Sequence, residues 1–346
     1  MQQKPRYSRG FCYFSGCLLI RYMKFKGFTL SLLLSLAATQ LFAQNRTQEL
    51  GFQSDNDSFL AQGSDRYYTN GLFLFYRRGM EFKNPKLANK VLGFEIGQKI
   101  YNPISGSVPN ATFVDRPFAG YLYLGANINY LFRNESNFKV SLQTGIIGPS
   151  AQGEQIQKVI HNTFGFYPLS GWQYQIQNNF QVNASVEYNR LLFRHSWIDL
   201  TATAYANGGT GFNGAGIGPL LRLGKYNPLF NSVSTQSTAT RNSIAPTNAN
   251  ELFLHYKPQF NYIAYDATVQ GGIGNKEPTP DSQEITSNPK PVTFSHQVGV
   301  SYAGPRWIFD ASATFVTKEV KTQSFNTHQW GSVSVVYRFN GYKSKM

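Results

Sequence analysis

The C-terminal segment constrains the fold more than any other stretch of the chain. Gly331, Val333, Val335, Tyr337 and Phe339 fall on alternate positions, with Ser332, Ser334 and Arg338 among those between. A period of two puts one set on one face of an extended strand and the second set on the other. A last strand that ends in an aromatic residue is the kind of signal that the outer-membrane barrel assembly machinery reads. Here seven residues come after Phe339. The same alternation also suits an edge strand of a soluble sandwich, so the rest of the chain has to decide.

The first 43 residues differ in character from residues 44–346. Met23-Lys24-Phe25-Lys26 is basic, Phe28 to Phe42 is apolar and rich in Leu and Ala, and Ala43 offers a small residue for cleavage before Gln44. Basic, then apolar, then small is the order of a secretory signal peptide. The expected organisation is therefore an N-terminal extension and signal peptide over 1–43, removed on export, and one barrel over 44–346, with translation starting at Met23. The leader holds six Lys/Arg and no acid, so its loss leaves 26 basic against 18 acidic residues, a net +8. Cys12 and Cys17 leave with it, which excludes a disulfide framework and thiol chemistry from the mature chain. The remaining positive charge suits an anionic surface such as the phosphates of lipopolysaccharide. Nucleic acid is not an expected partner of an exported chain.

The mature part has no apolar run long enough for a transmembrane helix. Instead it alternates, and its aromatic content of 15% fits the girdles of a transmembrane barrel. The expected fold is all-β: a transmembrane antiparallel β-barrel of about twelve strands. Candidate strands lie near 47–55, 67–78, 91–101, 120–133, 137–147, 172–190, 194–206, 215–225, 251–273, 292–304, 306–318 and 328–339. Asn231 to Asn250 and Asn275 to Pro291 read as loops. Ser150 to Thr163 breaks the pattern. There Ile156, Val159 and Ile160 recur at helical spacing, while Glu154, Gln157 and His161 share the other face. This predicts a short helix inside an extracellular loop. With both termini in the periplasm, the connections near 56–66, 102–119 and 148–171 all face outside. The 226–250 connection then falls on the periplasmic side, where turns are usually short.

The three outer connections hold the unusual polar residues. The first contains Asn56, Asp57, Asp65 and Thr69. Clustered Asp and Asn oxygens suit a hard cation such as Ca²⁺, and they equally suit Asx turns at a strand end. The second contains the neighbours Asp115 and Arg116, whose default is a local structural pair. The third contains His161, the side chain best able to move protons near neutral pH, with Gln157 one helical turn before it. The other histidines, His195, His255, His296 and His328, fall in candidate strands. There is no GxSxG elbow, no HExxH motif and no phosphate-binding loop.

Taken in order, Asn56-Asp57, Asp65 with Tyr68-Thr69-x-Gly71, Tyr101-x-Pro103, Asp115-Arg116-Pro117-Phe118-Ala119-Gly120, Gly145-Ile146-Ile147-Gly148-Pro149, Gln157-x-x-x-His161 and Trp172-Gln173-x-Gln175 resemble the outer-membrane lipid A deacylase family (LpxR-type). The resemblance covers residues 56 to 175. It implies a twelve-stranded barrel that hydrolyses an acyl ester of lipid A, of the 3′-O-acyloxyacyl type, in the outer leaflet and with Ca²⁺. Carried over, it implies His161 as the general base that activates water, Asp57 with Asn56 at the metal, and Asn56, Thr69 and Gln157 completing the catalytic set. It also implies a monomer in the outer membrane of a Gram-negative bacterium, assembled by the barrel machinery, with its site facing the cell exterior. Two positions depart from the family. Ile104 to Val108 has no basic residue to meet a phosphate, and Gln177 stands where an acid is expected.

Two other readings remain open. An outer-membrane phospholipase would need a nucleophilic Ser beside a His on the barrel wall. A non-enzymatic barrel would be a pore or an adhesin, although a lumen of twelve strands can largely be filled by side chains.

Overall fold

The computed structural model describes residues 46–61, 65–241, 244–273 and 281–340. The expected signal peptide lies outside these residues. Twelve antiparallel strands close into a barrel in which each strand pairs with its sequence neighbours and the last pairs with the first. They are β1 (Gln48–Asn56), β2 (Tyr68–Gly79), β3 (Leu87–Tyr101), β4 (Ala119–Phe132), β5 (Ser136–Ile147) and β6 (Asn179–Arg194). The second half comprises β7 (Ile198–Gly209), β8 (Phe212–Lys225), β9 (Glu251–Asp266), β10 (Val292–Ala303), β11 (Trp307–Thr317) and β12 (Thr327–Phe339).

The alternation along the strands is that of a lipid-solvated barrel. In β6, Phe180, Val182, Val186 and Tyr188 are exposed on the outer face, whereas Gln181, Asn183 and Asn189 are buried on the inner one. In β9, Leu252, Leu254, Tyr256, Phe260 and Tyr262 are likewise exposed. Apolar outside and polar inside is stable only where hydrocarbon covers the wall. None of the helices among the described residues is long and apolar enough to cross a membrane. The strands do the crossing.

The segment between β8 and β9 is not a free loop. It folds back into the lumen from the end of the barrel that carries the start of β1, and the polar inner wall receives it. Glu251 accepts from Asn227 N (2.8 Å), Ser232 Oγ (2.7 Å) and Val233 N (2.9 Å). Arg222, fully buried, donates to Asp199 Oδ1 (2.9 Å) and Ser232 Oγ (2.8 Å). Asn89 and Asn129 donate to the carbonyls of Ser237 (2.8 Å) and Thr235 (2.9 Å). Buried backbone groups of the segment thus find the partners that burial demands. A cavity of about 210 Å³ remains above this plug, lined by Arg77, Glu187, His255, Lys257 and Asp310 among others. The unusual length of this connection therefore has a structural cause: it is the barrel's filling.

Several boundaries move from their expected places. The strand expected over 172–190 starts only at Asn179, because Gly171 at φ 106° and a 3₁₀ turn over Trp172–Tyr174 turn the chain first. The strand expected to reach 273 stops at Asp266, whose carboxylate accepts from Thr268 N (2.8 Å) and starts a short helix, Ala267–Gln270. His195 lies in the turn between β6 and β7 and not in a strand. The expected helix over 150–163 is present as α1, Gly153–Phe164.

Antiparallel order puts residues 57–67, 102–118 and 148–178 at the same end of the barrel, opposite the plug's entry. There α1 lies on the outer wall. Gly120 of β4 is the contact point. A Cβ on it would sit 3.1 Å from the backbone of Gly153 and 3.2 Å from Ala151 Cβ, so only two glycines allow so close an approach. Gln98 of β3 holds the same junction by donating to Ala151 O (2.7 Å).

Candidate active site

The first connection is shaped by its own side chains. Asn56 ends β1 and caps the 3₁₀ turn Asp57–Leu60, its Oδ1 accepting from Ser58 N (2.7 Å). Its amide also donates to Asn70 Oδ1, across the β1–β2 pair. Asp57 is thereby turned inward and buried. Its Oδ2 accepts from Arg66 N (3.1 Å) and its Oδ1 from Thr69 Oγ1 (3.2 Å). Thr69 Oγ1 lies equally near Asp65 Oδ1 (3.3 Å). One hydroxyl proton cannot serve both carboxylates. Burial, and secondarily the nearby charge of Asp65, raises the Asp57 carboxyl from its usual range to about 7. Asp65 and Tyr67 both adopt left-handed backbone, at φ 43° and 63°. Such strain is held by surrounding contacts. Asn102 donates to Asp65 O (3.0 Å), and Tyr67 OH donates to Asp115 Oδ2 (2.9 Å).

Helix α1 brings His161 to these carboxylates. Gln157 and His161 are buried against the barrel with Ile156 partly buried beside them, while Val159 is exposed. His161 Nε2 lies 3.1 Å from Asp65 Oδ2. Its Nδ1 lies 2.7 Å from the carbonyl of Tyr167. A carbonyl only accepts, so Nδ1 carries a proton; Nε2 is an acceptor when the ring is neutral and pairs with the Asp65 carboxylate when the ring is protonated. Gly165, at φ 71°, ends the helix and returns the chain so that Tyr167 can reach the ring. The rings of Phe166 and Tyr167 meet the imidazole edge to face, at 5.5 Å and 4.9 Å. The Tyr167 hydroxyl bonds the Asp65 carboxylate, and burial raises its ionisation well above the usual tyrosine range.

Gln157 is fully buried, and Trp172 Nε1 donates to its Oε1 (3.1 Å). That bond fixes the amide orientation and leaves Nε2 without a protein acceptor. Trp172 in turn packs on Phe118 at 5.2 Å. Five residues expected at the site, Asn56, Asp57, Thr69, Gln157 and His161, are thus brought to one end of the barrel, and Asp57, Thr69 and His161 all border Asp65. Asn56 contributes through its cap and its pairing with Asn70. The sequence alone assigned no role to Asp65, Tyr167 or Trp172. Asp65 stood four residues before Thr69 in a recognised motif, and Trp172 stood in another. Tyr167 acts on His161 through its backbone, for which no side-chain signal exists. Asp115 and Arg116 do not form the expected local pair. Asp115 Oδ2 accepts from Tyr67 OH and Ser324 N (2.7 Å), while Arg116 stacks on Tyr101 at 4.2 Å and donates to Thr268 Oγ1 (2.9 Å).

Comparison with known proteins gives the family. The family model of the outer membrane protein LpxR matches residues 28–339. This chain belongs to the LpxR family. The solved structure of LpxR from Salmonella typhimurium superposes with a TM-score of 0.69 at 22% identity, covering 84% of this chain and 100% of that one. The β domain of the Bordetella autotransporter BrkA is a more remote likeness, with a TM-score of 0.43 at 12% identity over 87% of this chain and 100% of that one. No curated protein matches the sequence. Membership of the LpxR family agrees with the lipid-solvated wall: this is an outer-membrane protein with a closed twelve-stranded antiparallel barrel.

The chemistry of the first connection fits a hard cation. Two carboxylates, Asp57 and Asp65, share one hydroxyl donor in a buried setting. Among the described residues, no three His, Cys, Asp or Glu side chains form a ready-made cluster. Ca²⁺ does not require one, since it also takes amide and backbone oxygens.

Proposed function

We propose that this protein is a lipid A deacylase of the outer leaflet, in which His161 acts as general base in the Ca²⁺-dependent hydrolysis of an acyl ester. The observation that carries the reading is the pairing of His161 Nδ1 with the Tyr167 carbonyl, which leaves Nε2, 3.1 Å from Asp65 Oδ2, as the basic nitrogen of the ring. In this reading Nε2 takes a proton from water as the water oxygen attacks the ester carbonyl. Asp65 stabilises the imidazolium that forms. The tetrahedral species collapses, and the imidazolium returns its proton to the departing sugar oxygen. Gln157 Nε2 has a free N–H for the developing oxyanion. Asp57 and Asp65, with Asn56 behind them, would hold Ca²⁺, which when bound supplies positive charge beside the scissile carbonyl. The substrate would reach the site along the barrel's outer wall, with the site facing the cell exterior and the chain working as a monomer after insertion by the barrel assembly machinery.

Two observations weigh against the other readings. A phospholipase with a nucleophilic serine would need a Ser–His pair on the outer wall. The Ser–His contacts among the described residues are Ser196–His195, in an exposed turn, and Ser301–His255, on the lumen side. A pore would need an open lumen, which the plug occupies. Incubating the purified barrel with lipopolysaccharide and with phospholipid vesicles separates the cases. Release of fatty acid from lipopolysaccharide alone supports the deacylase, and release from phospholipid alone refutes it.

A further inference from the structure

We propose that the C-terminal turn of α1, formed by Phe164 and Phe166, seats the acyl chain that is to be cleaved. This inference rests on the deacylase reading above and names the part of the site that meets the fatty chain. A helix packed on a protein normally buries its apolar stripe and exposes its polar one. On α1 the covered side is mixed, with Ile156 packed beside the buried Gln157 and His161. Gln157 and His161 face the barrel, while Val159 is 61%, Phe164 69% and Phe166 48% exposed. Phe164 and Phe166 stack on each other at 5.9 Å. Phe166 also meets the His161 ring edge to face. One end of the aromatic pair is therefore beside the reacting nitrogen, and the other end is open.

The position of the helix identifies the occupant. It rests on Gly120 of β4; further down that wall Leu124 on β4 and Ile96 on β3 are exposed register partners. Apolar surface therefore stands both on the lipid-facing wall below the helix and beside the His161 ring. An exposed apolar surface of this kind is covered by something apolar. A chain lying along it would leave the bilayer without crossing water and would carry its ester to Nε2.

The test is a chain-length comparison in detergent micelles, with one glucosamine headgroup carrying either long acyl chains or butanoyl chains. For the Phe164→Ser/Phe166→Ser double variant, kcat/KM on the long-chain substrate should fall roughly tenfold further than on the short-chain one, mainly through KM. Phe164→Leu/Phe166→Leu should restore most of the difference. Equal losses on both substrates would overturn the proposal, because they would mean that the pair only anchors the helix. Unchanged activity on both would overturn it as well. A wild-type protein inactive on every acylated glucosamine would refute the deacylase reading itself, and the inference would fall with it.

Discussion

His161 Nε2 stands 3.1 Å from Asp65 Oδ2, while Nδ1 of the same ring stands 2.7 Å from the Tyr167 carbonyl. The imidazole is therefore held at both ends by groups from different connections of the barrel. In the proposed deacylase reading, Asp65 acts beside the base as well as at the metal. Asp65→Asn keeps the size of the side chain and removes its charge. It should lower kcat by on the order of a hundredfold, with a smaller change in KM. Steady-state kinetics on lipopolysaccharide checks this. A change confined to KM would assign Asp65 to binding.

Trp172 holds Gln157 through a single bond, from Nε1 to Oε1. Trp172→Phe retains most of the packing against Phe118 and loses the donor. The freed amide can then rotate, so kcat should drop roughly tenfold while the barrel stays folded. The heat-modifiable gel mobility of the barrel, read beside the rate, checks both halves of the prediction.

Much of this was legible in the sequence, and the limits are physical. The period of two along β6 and β12 and the helical spacing of Gln157 and His161 survive in any environment, because they reflect backbone geometry. The strand expected at Trp172 failed because a glycine in left-handed backbone redirected the chain there. The connection after β8 carried no sign of its destination. Its Ser, Thr and Asn residues read as solvated loop, yet in the lumen the Ser232 and Ser234 hydroxyls meet Arg222 and Glu251, and backbone carbonyls of the segment meet Asn89 and Asn129. Composition alone does not distinguish water from a polar barrel interior as their partner. The burial of Gln157 and His161 on the covered side of α1 was hidden in the same way. A helical wheel shows two faces, and only the wall behind it decides which one is covered.

The closeness of α1 to the wall makes Gly120 a sensitive position. A Cβ there is already tight against Gly153, and Gly120→Val adds two methyl groups with nowhere to go. The helix should lift from β4 and carry His161 away from Asp65. Activity should fall by at least a hundredfold, while the exposed strand pattern keeps the barrel inserted. Loss of insertion, seen by surface proteolysis and gel mobility, would show that the contact also matters for assembly.

Glu319, in the connection between β11 and β12, is pushed up to about 7, chiefly by burial. Arg116 opposes this and Asp266 adds to it. His328 Nε2 lies 3.3 Å from its Oε2. A raised carboxyl means that the fold favours the neutral form. The associated stability is fully present below the ordinary value of 4.5 and is lost as pH rises through about 7. Wild type should therefore lose apparent stability between pH 5 and pH 8, by at most about 3 kcal/mol, and Glu319→Gln should remove that slope. Thermal unfolding in detergent at the two pH values measures it. An unchanged slope in Glu319→Gln would place its origin in another group.

The plug makes a prediction about conductance. Wild type should carry no steady single-channel current, because residues 226–241 are bonded into the lumen. Replacing Leu229 to Thr240 with a short Gly-Ser linker removes the partners of Asn89, Asn129 and Arg222 and should open a measurable conductance in planar bilayers. A silent bilayer with correctly inserted protein would mean that the remaining wall side chains close the lumen without the plug.

The central claim is that His161 and a hard cation together remove an acyl chain from lipid A. Mass spectrometry of lipid A from cells that express the protein tests it most directly, with and without Ca²⁺ and beside His161→Ala. The account predicts loss of one discrete acyl mass that requires both Ca²⁺ and His161. Unchanged lipid A beside a folded, membrane-inserted barrel would contradict it, as would an acyl loss that persists in His161→Ala.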